Sequence, residues 1–280
     1  MYSFCLKINN NEISDYLLKE INKFNFESFK YSKKDFKIYT NIIFHYNGGS
    51  YITFYEKLSL LITNTIIKFY ERDLLKKNLN INYFYFSKQE QNEILKISES
   101  LIESDEQESK TELIYISVYN YIIENKAMIL DGFVNFRLKD YMEIIDYIVD
   151  LSVNSFLIKR EYLEFINLLK TYVKTKPFGT SYIHLIYLNS ETILLDKNKE
   201  IINTDTDIFT AKYLSDISFS SNDYALNTIL NLLPKKIYVH ILDEEDEFIN
   251  TLKLIFENRL EICNDCEICN LYKKASQINK

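Results

Sequence analysis

The sequence predicts an α+β fold with a helix-rich middle flanked by smaller mixed α/β parts, and three observations carry that prediction. Between about 112 and 175, apolar residues recur at alternating three- and four-residue spacing, the period of a helix with one buried stripe. Near both ends, short runs rich in Ile, Tyr and Phe are separated by turn-forming residues, the pattern of strands. Only 4 Gly and 2 Pro occur in 280 residues, and Gly48, Gly49, Pro177, Gly179 and Pro234 mark breaks between elements. The expected parts are 1–105, 106–176 and 177–280, the last two forming either separate domains or one continuous domain.

Tyr2 to Ile8 reads as a strand, and Ile13, Tyr16, Leu17, Ile21 and Phe24 give helical spacing to the segment after it. Lys37 to Tyr46 reads as a second strand. Asn47-Gly48-Gly49 ends it, because these residues accept positive φ cheaply, and Ser50 is placed to cap the next helix. In that helix Phe54, Leu58, Leu61, Ile62, Thr65 and Phe69 share one face, which predicts a core helix. Ser87-Lys88-Gln89-Glu90 fits a capping box that opens a helix to about 102. Glu99 to Glu112 holds six acidic residues against one Lys and is either a linker or a solvated loop inside one domain.

In the middle, Leu138, Tyr141, Met142, Ile145, Ile148, Val149 and Ser152 form a seam, with Lys139, Asp140, Glu143, Asp146 and Asp150 largely off it. The seam fails at Lys159 after about three heptads, near the lower limit for a coiled coil, so packing within the chain is expected. Tyr162, Phe165, Ile166 and Leu169 make a second run, and Pro177 and Gly179 end the helices. Tyr182 to Leu188 and Thr192 to Leu195 then read as paired strands. Asn222 to Leu233 reads as a helix stopped by Pro234, Lys236 to Leu242 as a strand, Glu244 to Glu257 as a helix, and Arg259 to Ile262 as a short strand.

Composition narrows the function. With 47% apolar and 26% charged residues, the chain can build a core without disulfide or metal staples. The 23 Tyr and 19 Phe reflect a general bias and mark no aromatic ligand site. A net charge of −7 argues against nonspecific nucleic-acid binding and against an anionic membrane surface. The start has one Lys and too short an apolar stretch for a signal peptide. The most apolar window, Leu113 to Leu130, is broken by Asn120, Glu124, Asn125 and Lys126, so no membrane span is expected. Four Cys, three of them at one end, do not form a secreted disulfide framework, and a cytoplasmic protein is expected.

Two segments carry a resemblance. Gly132-Phe133-Val134-Asn135-Phe136-Arg137-Leu138-Lys139-Asp140-Tyr141 resembles the signature of the YtxC-like family of sporulation-associated proteins. Asn82-Tyr83-Phe84-Tyr85-Phe86, followed by an acidic helix, resembles a second stretch of that family, and the order of elements agrees from about 50 to 250. The resemblance implies a cytosolic protein of sporulating bacteria and supplies no catalytic residues. On the residues alone, Phe133, Arg137 and Tyr141 stand at i, i+4 and i+8 if the segment is helical, so Arg137 is expected to stack between two rings. The alternative is that Arg137 contacts an anionic ligand or a partner protein.

The sharpest chemical motif is Cys263-Asn264-Asp265-Cys266-Glu267-Ile268-Cys269. Cysteines three apart converge on one ion either along a helix edge or in a knuckle turn. The first spacings match a ferredoxin-type run, but Lys273 stands where the fourth Cys is needed. Zinc also wants four ligands. Cys5 is the first choice for the fourth and a His, either His184 or His240, the second. Glu261, Asp265 and Glu267 favour a cation and are expected to raise the thiol pKa values. A motif with no ligand, a zinc site and an iron–sulfur site all remain open. Asp243-Glu244-Glu245-Asp246 follows a strand, where carboxylates hold Mg²⁺ in some α/β enzymes. Asp243 as helix cap, with acids at the positive end of the helix dipole, explains the cluster without a metal. No GxSxG, Walker or HExxH motif occurs. The leading expectation is a sporulation-associated interaction or structural factor with a protein partner. A metal-dependent enzyme using the Cys or acidic cluster and a zinc-stapled nucleic-acid module are the alternatives.

Overall fold

The computed structural model describes residues 2–23, 29–48, 50–104, 107–203 and 220–278. It confirms the α+β class. Its contacts group the chain into two compact units, Met1–Ile158 and Lys159–Lys280. Where the sequence suggests three parts, the boundary instead falls inside the long helix of the middle region. Phe24 lies outside the described residues.

The first unit begins with β1 (Tyr2–Ile8) and α1 (Asn11–Lys23), then a hairpin of β2 (Phe29–Asp35) and β3 (Thr40–Tyr46). Three helices follow: α2 (Tyr51–Asn82), α3 (Lys88–Ser104) and α4 (Gln107–Glu124). A three-residue strand, β4 (Ala127–Ile129), precedes α5 (Leu130–Arg137) and the first part of α6 (Lys139–Thr175). The sheet order is β2-β3-β1-β4, with β4 parallel to β1 and the other pairs antiparallel. Strand alternation turns Phe4, Leu6, Ile8, Ile42 and Phe44 into the core, where they join Leu17 of α1 and Phe54, Leu58 and Ile62 of α2. The α6 seam faces the same core. Leu138, Ile145 and Val149 are buried and Met142 is partly buried, so the seam packs within the unit.

Local signals held to different degrees. The Ser87–Glu90 capping box forms, with the Ser87 N–H donating to Glu90 at 2.8 Å and the Glu90 N–H to the Ser87 hydroxyl at 3.3 Å. Ser50 occupies the N-cap position of α2, but its side chain accepts no capping hydrogen bond. No described Gly has a positive φ. Gly48 is needed for space, because a Cβ there would lie 2.1 Å from the Tyr46 ring. The described parts of Glu99–Glu112 are largely helical and lie inside the first unit.

The second unit holds the rest of α6, β5 (Thr180–Leu188), β6 (Glu191–Leu195), α7 (Ser221–Leu232), β7 (Pro234–Ile241), α8 (Glu247–Phe256), β8 (Leu260–Ile262) and α9 (Glu267–Ile278). Its sheet order is β6-β5-β7-β8, with β5, β7 and β8 parallel and β6 antiparallel to β5. Leu233 ends α7 in the left-handed region at φ 42°, and Pro234 then opens β7. One sheet face, with Ile183, Leu185, Ile237 and Val239, packs with Ala225 and Ile229 of α7 and Ile249 and Leu252 of α8. The other face, with Ile186 and Leu195, packs with Ile268 of α9. The second helical run of α6 buries Ile166 but leaves Phe165 51% exposed. Among the described residues no helix is long and apolar enough to cross a membrane.

Candidate metal centre

The parallel pairing of β7 with β8 builds the C-terminal site. Alternation along β7 turns Ile237 and Val239 to the α7–α8 side and His240 to the α9 side. Val239 pairs with Ile262 at the end of β8, and the next residue, Cys263, donates its backbone N–H to the Val239 carbonyl at 2.8 Å. Cys263 is thereby held alongside His240. Asn264 and Asp265 then make a bend that returns Cys266 to the start of α9. Cys269 lies in the first turn of that helix, and the Asn270 N–H closes the turn on the Cys266 carbonyl at 3.0 Å.

Four ligand atoms meet as a result. His240 Nδ1 lies 3.3 Å from Cys269 Sγ and 3.5 Å from Cys266 Sγ. Cys269 Sγ lies 3.8 Å from Cys266 Sγ and 3.9 Å from Cys263 Sγ. All four atoms fall within 4.8 Å of one another. A tetrahedral zinc with Zn–S near 2.3 Å and Zn–N near 2.05 Å places its sulfurs about 3.8 Å apart and each sulfur about 3.5 Å from the nitrogen. The group has the number, type and spacing of ligands to hold one such ion.

The surroundings favour neutral histidine. His240 Nε2 lies 3.0 Å from His184 Nδ1 on the neighbouring strand. With Nδ1 as ligand, the His240 proton sits on Nε2 and is donated to His184, the second hydrogen bond that fixes a ligating imidazole. Burial, and then the charge of His184, push the His240 pKa down to about 4. Burial, and then Lys199, lower that of His184.

The thiols divide. Burial, reinforced by the other two thiols, pushes Cys263 up to about 12, and burial first also raises Cys269. At Cys266 burial is opposed and outweighed by hydrogen bonds from the Cys269 and Ile268 backbone N–H groups and the other thiols, so its pKa falls. A sulfur at the open N-terminus of α9 accepts the N–H groups that the helix leaves unpaired. These shifts come from burial and neighbouring sulfurs, not from the acids the sequence emphasises. Glu261 instead pairs with Lys236, and Glu267 with Lys199 at 3.4 Å.

The other candidates fall elsewhere. Cys5 is absent from the cluster. It lies in β1 of the first unit, in register with Ile43 and Ala127, and its N–H donates to the Lys126 carbonyl at 3.0 Å. The fourth position is filled by His240, and the pairing of β7 with β8 that brings it there is invisible in linear spacing. His45 bonds the Ser3 and Ser32 hydroxyls. Asp246, not Asp243, caps α8, accepting from the Phe248 and Ile249 N–H groups at 3.0 and 3.2 Å and from the Tyr187 hydroxyl. Asp243 accepts the Asn189 N–H at 2.6 Å, and Glu245 pairs with Lys253. Arg137 is the last residue of α5. The chain breaks from helical geometry at Leu138, so Phe133, Arg137 and Tyr141 do not share one continuous face. Both rings are buried, while Arg137 is exposed.

The YtxC-like family model matches residues 56–261, a span that takes in Arg137, His184 and His240 and stops short of the three cysteines. The uncharacterized protein YtxC of Bacillus subtilis (strain 168) is 19% identical over 192 residues, 64% of this chain and 66% of that protein. The match thus covers just under two thirds of that relative's length. No solved structure is significantly similar. With the family model matching most of its length, the chain belongs to the YtxC-like family.

Proposed function

We propose that the protein is a sporulation-associated, cytoplasmic interaction factor whose C-terminal unit is stapled by one zinc ion. The observation that supports the metal is the meeting of His240, Cys263, Cys266 and Cys269 at tetrahedral spacing. Four protein ligands leave no open position for water or substrate, which is the pattern of a structural zinc site rather than a catalytic one. Zinc would tie β7, the end of β8 and the start of α9 to one point. The association with sporulation is what the resemblance carried by the signature at 132–141 implies. The acidic run 243–246 supports no Mg²⁺ enzyme, because Asp243, Glu245 and Asp246 are each engaged in a structural contact.

The test is affinity capture of the full chain from sporulating cells, kept anaerobic, with metal analysis of the purified protein. One zinc per chain is expected, falling below about 0.2 in Cys266→Ser and His240→Ala, since a structural site needs its full ligand set. Protein containing neither zinc nor iron would remove the metal reading. Two irons with acid-labile sulfide would replace it with a cluster.

A further inference from the structure

The sheet of the first unit has one face against its core, while on its other face the described residues are half-buried or exposed. Alternation along β1 sends Phe4, Leu6 and Ile8 inward and Ser3, Cys5 and Lys7 outward. His45 of β3 meets the hydroxyls of Ser3 at 2.9 Å and of Ser32 on β2 at 3.4 Å, which fixes the outward face across three strands. The same alternation places Lys30 and Lys34 of β2 on that face, and register puts Ile129 of β4 beside Lys7. None of these outward residues is buried, and no Asp or Glu occupies an outward position on the four strands. In a chain of net charge −7, the charged residues of this face are Lys7, Lys30 and Lys34, set among uncharged side chains.

At the β4 edge the face meets a pocket of about 450 Å³. Lys7 and Arg137 stand on its wall, and Tyr121, Met128, Phe133 and Phe136 give it an apolar surface. Phe136 is 76% exposed. Neither Lys7 nor Arg137 has an ion pair or side-chain hydrogen bond among the described residues. β4 is an edge strand, so among the described residues one side of its backbone has no strand partner.

We propose that this face and pocket bind an extended acidic peptide of a partner protein, with one large apolar side chain in the pocket and carboxylates on Lys7 and Arg137. Three features select that ligand. The basic face complements acidic side chains. The pocket suits an apolar anchor. The free strand edge suits the backbone of an extended chain. Single-stranded nucleic acid fits less well, because the strands' outward positions carry no Phe or Tyr, which leaves the pocket rings for a single base rather than a stacked run, and the acidic remainder of the chain repels a long polyanion. The inference rests on the interaction reading above and is independent of the metal centre, which belongs to the other unit.

The experiment is selection of a displayed random octapeptide library on the full-length protein, followed by fluorescence anisotropy with the enriched peptide and with a labelled oligothymidylate. The expected result is a consensus with Asp or Glu flanking one large apolar residue, and binding that weakens as salt rises. Lys7→Glu and Arg137→Glu should each weaken binding at least tenfold, while Lys96→Glu, at an exposed position of α3, should leave it unchanged. Lys7 sits mid-strand, so Arg137→Glu at an exposed helix end keeps the test separate from folding. A selection without acidic enrichment, an enriched peptide indifferent to both reversals, or oligothymidylate binding more tightly than the peptide would each overturn the proposal. Zinc content measured on the same samples separates its failure from failure of the metal reading.

Discussion

Each unit contains a four-stranded sheet, and the two sheets treat their second face in opposite ways. In the first unit one face is covered by helices, and among the described residues the other stays half-buried to exposed, lined mainly by Lys, Ser, Asn and His with Cys5, Ile43 and Ile129. In the second unit both faces are covered. The α7–α8 side is broad, while among the described residues the α9 side has a small apolar centre of Ile186, Leu195 and Ile268, with Ile193, Leu242 and Tyr272 partly buried against it. Three such side chains contribute about 1.5–3 kcal/mol each. A twelve-residue helix, marginal on its own, has little to hold it there. The ligand group lies where the apolar cover is thinnest. A polar face can stay open to water, whereas a small apolar face requires a cover, and the His240–Cys263–Cys266–Cys269 group lies where a cross-link would supply one.

The largest expected effect comes from chelating the zinc proposed for the second unit. Structural zinc contributes on the order of 10 kcal/mol in small zinc peptides. Chelation of the purified protein should therefore strip amide hydrogen-exchange protection from α9 and β8 and leave α1–α5 of the first unit protected. Exchange mass spectrometry measures both at once. Uniform loss across both sheets, or no loss at all, would show that α9 is held by something other than the His240–Cys269 group.

The counterpart in the first unit is its core. Ile145 is fully buried, so Ile145→Asp forces a carboxyl into apolar surroundings at a cost of about 4 kcal/mol or more. Denaturant unfolding followed by tyrosine fluorescence should show that loss. Zinc content at low denaturant should be unchanged, and zinc release by this variant would mean that the units are not energetically separate.

These contrasts also explain what was legible in the sequence. β1, β5 and β7 announce themselves because one or both of their faces are apolar, and the α6 seam because its core face repeats over several turns. β2 does not, since Phe29–Asp35 reads FKYSKKD: its outward face is open, and even Tyr31 on the inward side is exposed. β4 is three residues long and sits inside a run whose composition suits a helix. Three cysteines of the candidate centre are visible from their spacing alone. His240 lies 23 residues before Cys263 and joins them only through the pairing of β7 with β8, a long-range contact that no local pattern encodes. Among four consecutive acids, residue type does not identify the cap. Asp246 takes that role because its backbone is extended where α8 begins.

A smaller effect tests that cap. Asp246→Ala removes the acceptor for two N–H groups of α8 and for the Tyr187 hydroxyl, which lies on the broad face of the second sheet. A cap is worth about 1–2 kcal/mol. Asp243→Ala should cost less, because its partner is one exposed loop N–H. Equal losses in denaturant unfolding would return the cap to Asp243.

The smallest expected effect lies on the open side of the first unit. Arg137→Lys keeps the charge and discards the planar guanidinium. Stacking between Phe133 and Tyr141 would make that loss visible, because Lys lacks a flat face to lay on a ring. The break at Leu138 separates those rings from a common helical face, and Arg137 projects at the exposed end of α5. The substitution should therefore shift unfolding stability by no more than about 0.5 kcal/mol, the range of surface changes without specific contacts. Thermal and denaturant unfolding of the two proteins side by side measures it. A loss above about 1 kcal/mol would show that the guanidinium is part of the folded core after all. It would also weaken the view of this sheet face as a surface the fold leaves free. With stability unchanged, any effect of Arg137→Lys on peptide binding can be assigned to the contact itself, and a bidentate carboxylate contact should feel the change even though the charge remains.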